Sequence, residues 1–309
     1  MNLHLLRVFF TVAEQNGFSR AAENLFISQS AVSKAVRELE LQLDLPLIER
    51  GVSGGKGIRL TESGKALFEH ARGIFALERA AIDDIRARVG LHRGSLTIGA
   101  STTIASYWLP RYIARFTQQF PDIIPRVLVG NTQNVSQDLL DCRIDLALVE
   151  GPVDDPLIRS SHWQDDELVI VAASDSLLHR RPTIDADHLN KLLWIVREPG
   201  SGTREATQQL LQAHAVDRMH SMEMGSNEAI VRTVVEGVGV AMLSRVLVED
   251  LIALGKIAIL NLPDQTGKTG GKLRFSRSLH LLEMKNRPHS PATLAFLQIL
   301  SADQAMPHA

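Results

Sequence analysis

Between Phe18 and Glu40 the order of small, apolar and polar residues admits few local folds. Val32, Ala35, Val36, Leu39 and Leu43 recur at helical spacing, so one face of a helix here is apolar and turns inward. Ser30, Ser33, Lys34 and Arg37 fall on the opposite face, with Ser28 and Gln29 at its start. Hydrogen-bonding side chains along one face of a short helix suit a major groove, where base edges carry a donor and acceptor code. Ser19 and Ser28 stand where N-caps belong, which divides the stretch into two short helices joined by a tight turn. An earlier helix, from Leu3 to about Gln15, presents Leu3, Leu6, Phe9 and Ala13 to the same small core, and Gly17 ends it. A three-helix unit with an ordinary solvated face has the same pattern. Taken alone, the stretch leaves both readings open.

The following residues narrow the choice. Leu45 to Arg50 and Ile58 to Leu60 are short extended runs around a glycine-rich tip, the plan of a wing. Arg50, Lys56 and Arg59 are available there to phosphates or the minor groove. Thr61 then caps a long helix. In this order and spacing, Phe-Ser-Arg-Ala-Ala, Ser-Gln-Ser-Ala-Val-Ser, Leu-Glu-x-x-Leu, Leu-Ile-x-Arg and Leu-Thr-Glu-Ser-Gly resemble the N-terminal half of a LysR-type transcriptional regulator. The wing is longer than that family's pattern and richer in glycine. The resemblance implies a winged helix-turn-helix DNA-binding domain over residues 1–60 and a linker and dimerisation helix over 61–91. DNA contacts are then expected from Ser28, Gln29, Ser30, Ser33, Lys34, Arg37, Arg50, Lys56 and Arg59.

Charge would not have identified a DNA binder. The net charge is −2, and residues 1–60 carry seven Lys/Arg against six Asp/Glu. The motif must therefore carry that reading. The chain has 309 residues, 45% of them hydrophobic, enough for a small domain and a larger one with a real core. The single cysteine, Cys142, excludes an intrachain disulfide and fits a reducing cytosol. Its expected place is a small buried gap beside the strand 145–149. No apolar run approaches a membrane span and the first residues lack a signal-peptide plan, so a cytoplasmic protein is expected.

From Ser63 to about Val89 only Gly64 and Gly73 interrupt a helical pattern. Leu67, Ala71, Ile74, Ala81, Ile85 and Val89 form an apolar stripe, which Leu77 and Ile82 widen. A stripe this long calls for a partner helix, most simply the same helix of a second chain, although it could lie along its own C-terminal domain.

After Gly94 strands alternate with helices: 95–100, 126–130, 145–149, 168–173, 192–196 and 239–243 read as strands, which argues for a mainly parallel sheet covered on both faces. Ligands in such sheets sit beyond the carboxyl ends of the strands. Ser101-Thr102-Thr103, Ser201-Gly202-Thr203 and Gly225-Ser226-Asn227 each lie there and open a helix, with Asn131-Thr132 after the second strand. Each is an ordinary N-cap when read singly. Together, small hydroxyl and amide side chains beside unpaired helix-end amides suit a carboxylate, sulfate or phosphate.

This half resembles the two-lobed, periplasmic-binding-protein-like effector domain of the same regulators. Leu-Thr-Ile-Gly-Ala-Ser-Thr-Thr-Ile, Val-Gly-Asn-Thr, Asp-Leu-Ala-Leu-Val-Glu-Gly and Arg-Glu-Pro-Gly-Ser-Gly-Thr-Arg look like the branch that includes regulators of sulfur assimilation and carbon fixation. The resemblance implies an effector-binding domain over 92–309, lobe I being 92–163 with 269–301 and lobe II 164–268. Ser101, Thr102, Thr103, Asn131, Thr132, Ser201, Gly202, Thr203 and Asn227 would line the cleft, with Glu150 and Gly151 at its hinge. The implied partners are double-stranded promoter DNA, a small anionic effector, and further copies of the chain as a homodimer or homotetramer. No membrane, cofactor, metal or catalytic residue is expected. The alternative is an enzyme acting on a small anion in the C-terminal α/β domain. Against it, the C-terminal domain has no Gly-x-Ser-x-Gly elbow, and the chain has no phosphate loop and no His-Glu-x-x-His.

Overall fold

Asn2 caps the first helix, α1 (Leu3–Glu14), its Oδ1 accepting from the His4 amide at 2.8 Å. The protein is seen here as a computed structural model that describes residues 2–49, 57–88, 95–176, 186–214, 220–262 and 275–304. The chain divides into two compact units, residues 1–82 with 141–143, and residues 83–140 with 144–309.

In the first unit, α1 is followed by α2 (Phe18–Leu25), α3 (Gln29–Leu43) and α4 (Glu62–Arg88). Leu6, Phe9, Val12, Ala21, Val32, Val36, Leu39, Ala71 and Phe75 make one core. Three expectations change. Leu3 is exposed, because the buried stripe of α1 runs through Leu5, Leu6, Val8, Phe9 and Val12. Ser19 lies inside α2, whose N-cap is Gly17. The long helix is not all seam: Ala71 and Phe75 are buried in this core and Ile74 packs on it, while Leu77, Ile82 and Ile85 stay exposed. Val89 lies outside the described residues. Gly64 is needed for a close approach, since a Cβ there would run into the Leu47 carbonyl.

The second unit begins with β1 (Leu96–Ser101), a single π-helical turn over Ile104–Trp108, and α5 (Leu109–Gln119). Then come β2 (Pro125–Gly130), α6 (Thr132–Leu140), β3 (Leu146–Glu150) and a 16-residue strand, β4 (Ile158–Ala173). The chain continues through α7 (Ala186–Leu189), β5 (Leu193–Val196), α8 (Gly202–Ala213), β6 (His220–Glu223) and α9 (Asn227–Val235). It closes with β7 (Ala241–Ser244), α10 (Arg245–Ala253), β8 (Ile257–Leu260), β9 (Phe275–Met284) and α11 (Pro291–Gln304).

The sheet is mixed rather than mainly parallel. Its order is β2-β1-β3-β9-β4-β7, with β8 also on β4; only β1 with β2 and β3 run parallel. β5 and β6 form a separate parallel pair. The antiparallel pairing of β4 with β9 spans Ile158–Leu168, so these two strands carry the sheet from one half of the unit to the other. One half packs Ile98, Tyr112, Phe116, Trp163 and Phe296. The other packs Leu168, Ile170, Trp194, Leu210 and Met242 on one side, and Val171, Ile195, Ile230 and Val248 on the other. Cys142 is half-buried with φ +54°, not in a closed gap, because it sits in a left-handed turn after α6. Among the described residues no helix is long and apolar enough to cross a membrane, and no group of His, Cys, Asp and Glu could hold a metal ion.

Candidate functional site

The helix-turn-helix is built by capping and a left-handed turn. The Ser28 hydroxyl accepts from the Ala31 amide at 3.2 Å and so starts α3. Phe26 closes α2 with φ +56°, and its ring is 93% exposed. On α3, Gln29, Ser30, Lys34 and Arg37 are exposed with Ser28, and Ser33 is half-buried. Arg59 is exposed and lies 3.5 Å from Glu49, on the wing stem where Ile48 bridges Leu60. Arg50 and Lys56 lie outside the described residues.

Two positioning residues were not read from the sequence. Glu40 is buried, and its Oε1 accepts from the amides of Leu47 and Ile48 at 2.9 and 3.2 Å, which fixes the chain leaving α3. A carboxylate on the otherwise apolar inward face of the helix was the available signal. Asn16 Oδ1 accepts from the Ile58 amide at 3.0 Å and ties the wing stem to the end of α1.

In the second unit the expected effector residues other than Ser101 and Ser201 form two clusters, each around an arginine. Arg197 directly follows β5, and its side chain is only 2% exposed. Its Nη1 donates to Thr102 Oγ1 at 2.9 Å and to Asn227 Oδ1 at 2.6 Å. Its Nε and Nη2 donate to the two oxygens of Glu198 at 2.8 and 2.9 Å. Asn227 Nδ2 reaches Thr102 and Thr103 hydroxyls at 3.3 and 3.1 Å. Asn131 Nδ2 donates to Glu198 Oε1 at 3.2 Å and to the Pro199 carbonyl at 3.3 Å. Burial pushes the Glu198 carboxyl up, but bonds from Arg197 and Asn131 outweigh it and hold the group below the usual range. Residues after β1, β2 and β5 and at the start of α9 thus meet at one place.

Arg277, on β9, organises the second cluster. It donates through Nε to Asp166 Oδ2 at 2.9 Å, through Nη1 to Thr203 Oγ1 at 2.9 Å and through Nη2 to Glu150 Oε1 at 3.3 Å. Ser244 donates to Asp166 at 2.6 Å. Burial nevertheless raises Asp166 above the usual carboxylate range. Thr132 donates to the Glu150 carbonyl at 3.2 Å. A Cβ on Gly202 would lie 2.6 Å from that same carbonyl oxygen, so α8 can start here only with glycine. Gly151 follows with φ +83°. Thr203 therefore faces Arg277 and not the Arg197 cluster. The hydroxyls of Ser101 and Ser201 are buried and without a hydrogen-bond partner among the described residues. Ser201 occupies the N-cap position of α8 but makes no side-chain cap bond.

Neither arginine was singled out in the sequence. Arg197 carried a signal, a cation ending the apolar run Leu192–Val196. Arg277 and Asp166 carried none, because the strands that pair them were not legible as a pair.

Residues 3–65 match the model of the bacterial regulatory helix-turn-helix proteins of the lysR family, and residues 90–305 match the LysR substrate binding domain. The HTH-type transcriptional regulator YeiE of Escherichia coli K12 is 38% identical over 263 residues, 85% of this chain and 87% of that protein. The RuBisCO operon transcriptional regulator of Allochromatium vinosum is 32% identical over 311 residues, 100% of this chain and 98% of its own. Among solved structures, the Synechocystis PCC6803 CcmR regulatory domain in complex with 2-PG is 28% identical, with a TM-score of 0.60 over 70% of this chain and 100% of that one.

Proposed function

The chain belongs to the LysR family of DNA-binding, effector-controlled transcriptional regulators, and from that premise we propose that its effector is a small anion held around Arg197, with Ser101, Thr102, Thr103, Asn131, Ser201 and Asn227 about it. Glu150, Gly151, Thr132, Gly202 and Thr203 then serve as the hinge on which the two lobes turn, braced by Arg277. The DNA-reading residues are Ser28 at the cap of α3, Gln29, Ser30, Ser33, Lys34 and Arg37 on it, Arg59 on the wing stem, and, as the sequence leads one to expect, Arg50 and Lys56. Residues 1–60, 61–91 and 92–309 act as DNA-binding, dimerising and effector domains in a homodimer or homotetramer of the cytoplasm. Catalysis is assigned to no residue.

The observation that carries the anion reading is the buried guanidinium of Arg197 beside hydroxyl and amide groups, with two buried hydroxyls that have no partner among the described residues, Ser101 next to Thr102 and Ser201 four residues after Arg197. A buried cation with hydroxyl and amide neighbours recognises an oxyanion by charge-assisted hydrogen bonds. That a relative's regulatory domain was solved with 2-PG supports a small-molecule effector. Closing two lobes on one ligand makes its affinity differ between conformations, the condition for shifting DNA binding.

The test is a thermal-shift screen of inorganic phosphate, sulfate and small carboxylates on the full chain. A ligand at 100 times its Kd adds about 2.7 kcal/mol of stability. Thr102→Val and Arg197→Met should keep DNA binding and lose the response. If both variants respond as the wild type does, the effector sits elsewhere.

A further inference from the structure

We propose that Glu198 is a built-in competitor for the effector, so that the site selects dianions over monoanions and couples ligand binding to loss of the Glu198–Asn131 bond. This rests on the reading that an anion binds around Arg197.

Four of the five N–H groups of Arg197 are taken, so no two-pronged edge of its guanidinium is left whole. Glu198 takes the Nε and Nη2 edge with both carboxylate oxygens, at 2.8 and 2.9 Å. Thr102 and Asn227 take Nη1, at 2.9 and 2.6 Å. A guanidinium offers five N–H groups in a fixed fork, and its bidentate edge is the one that recognises carboxylate and phosphate. An anion that takes a two-pronged edge must therefore replace an acceptor already in place.

The three acceptors are not equally replaceable. Thr102 and Asn227 also bond each other, and Asn227 bonds Thr103, so displacing either breaks a network of neutral groups, whereas Glu198 is tied beyond Arg197 by its bond to Asn131. Glu198 is 25% exposed, against 2% for Arg197, so its carboxylate can turn to water while the guanidinium stays. It is also the only negative one, and two anions on one guanidinium repel. The exchange thus removes Glu198 and admits the ligand.

Selectivity follows from the charge balance. A monoanion that replaces Glu198 restores the charge that left and gains little over it. A dianion, such as a phosphomonoester, phosphate or sulfate, brings one further negative charge to the same cation. When Glu198 leaves, its bond to Asn131, 67 positions away on the segment after β2, breaks with it, and Asn131 keeps only its 3.3 Å bond to the Pro199 carbonyl on that side. Ligand exchange at Arg197 thereby alters a tie between the segments after β2 and β5.

The experiment titrates the full-length protein with inorganic phosphate at a pH where the dianion dominates, and with acetate, by calorimetry. Glu198→Gln keeps the shape and removes the charge. It should bind phosphate at least tenfold more tightly than wild type and bind acetate measurably, narrowing the preference between them. Glu198→Asp, which keeps the charge, should retain the wild-type preference and guards against a fold defect in the first variant. Footprints on DNA should shift at lower phosphate in Glu198→Gln. If wild type binds phosphate in an Arg197-dependent way and Glu198→Gln binds it equally or more weakly, Glu198 is no competitor, and the anion reading stands without it. If neither protein binds phosphate or sulfate, both readings fall.

Discussion

Arg277 on β9 and Asp166 on β4 face one another in the sheet, Nε to Oδ2 at 2.9 Å, with side chains 7% and 1% exposed. The pair joins the two strands that run through both halves of the second unit. Burial raises Asp166, so Arg277 is what makes a carboxylate tolerable there. Arg277→Met should destabilise the protein by about 3–5 kcal/mol, because Asp166 and Glu150 would lose their buried partner. Urea unfolding checks this, and a cost well under 1 kcal/mol would mean the carboxylates find water or protonate at no cost.

The exposed end of α4 should hold the dimer. Leu77, Ile82 and Ile85 are 44%, 44% and 60% exposed, whereas Ile74 packs on its own domain. Ile82→Asp with Ile85→Asp places charge in an apolar seam and should give monomers with little loss of domain stability. Sedimentation that still finds dimers would move the seam elsewhere.

Phe26 should be a site where stability can be gained. A left-handed φ of +56° on an L residue costs roughly 1–2 kcal/mol, and the 93% exposed ring recovers little by burial. Phe26→Asn, which tolerates this conformation, should raise stability by about 0.5–1 kcal/mol. An unchanged denaturation midpoint would show that the turn is unstrained as it stands.

Gln29→Ala and Ser33→Ala should each cost roughly 1–3 kcal/mol of specific DNA affinity if they touch base edges. Arg59→Ala should weaken specific and non-specific DNA alike and flatten the salt dependence. Affinities measured over a salt series separate the two effects, and a variant set with wild-type footprints would take α3 out of the interface.

His280 makes stability fall with acid. Burial and the neighbouring His162 hold its pKa below the ordinary value of 6.5. The unfolded chain therefore binds a proton that the folded one resists, so this stability is present above 6.5 and lost as pH falls through and below it. His280→Gln should flatten the drop in Tm between neutral and mildly acidic pH. A wild-type Tm that stays level over that interval would contradict the sign.

What the sequence determined by itself was whatever depends on neighbours along the chain. Val32, Val36 and Leu39 repeat at helical spacing and Ser28 caps their helix, so α3 and its polar face were readable before any contact was known. The small residues at 101–103, 201–203 and 227 were likewise readable as helix starts beyond strands, because capping is local. Tertiary structure decided what these residues face. Arg197 meets Thr102 across 95 positions, and Arg277 meets Glu150 across 127. No periodicity encodes such distances; they follow from the order in which β1, β3, β9, β4 and β7 pair and from the bridge of Trp194 on β5 to Val240 beside β7. The same holds for Ser19 and Leu3, whose local signals favoured a cap and a core position. Packing of α1 on α2 and α3 outweighed both, since burying Leu5, Leu6, Val8 and Phe9 sets where those helices lie.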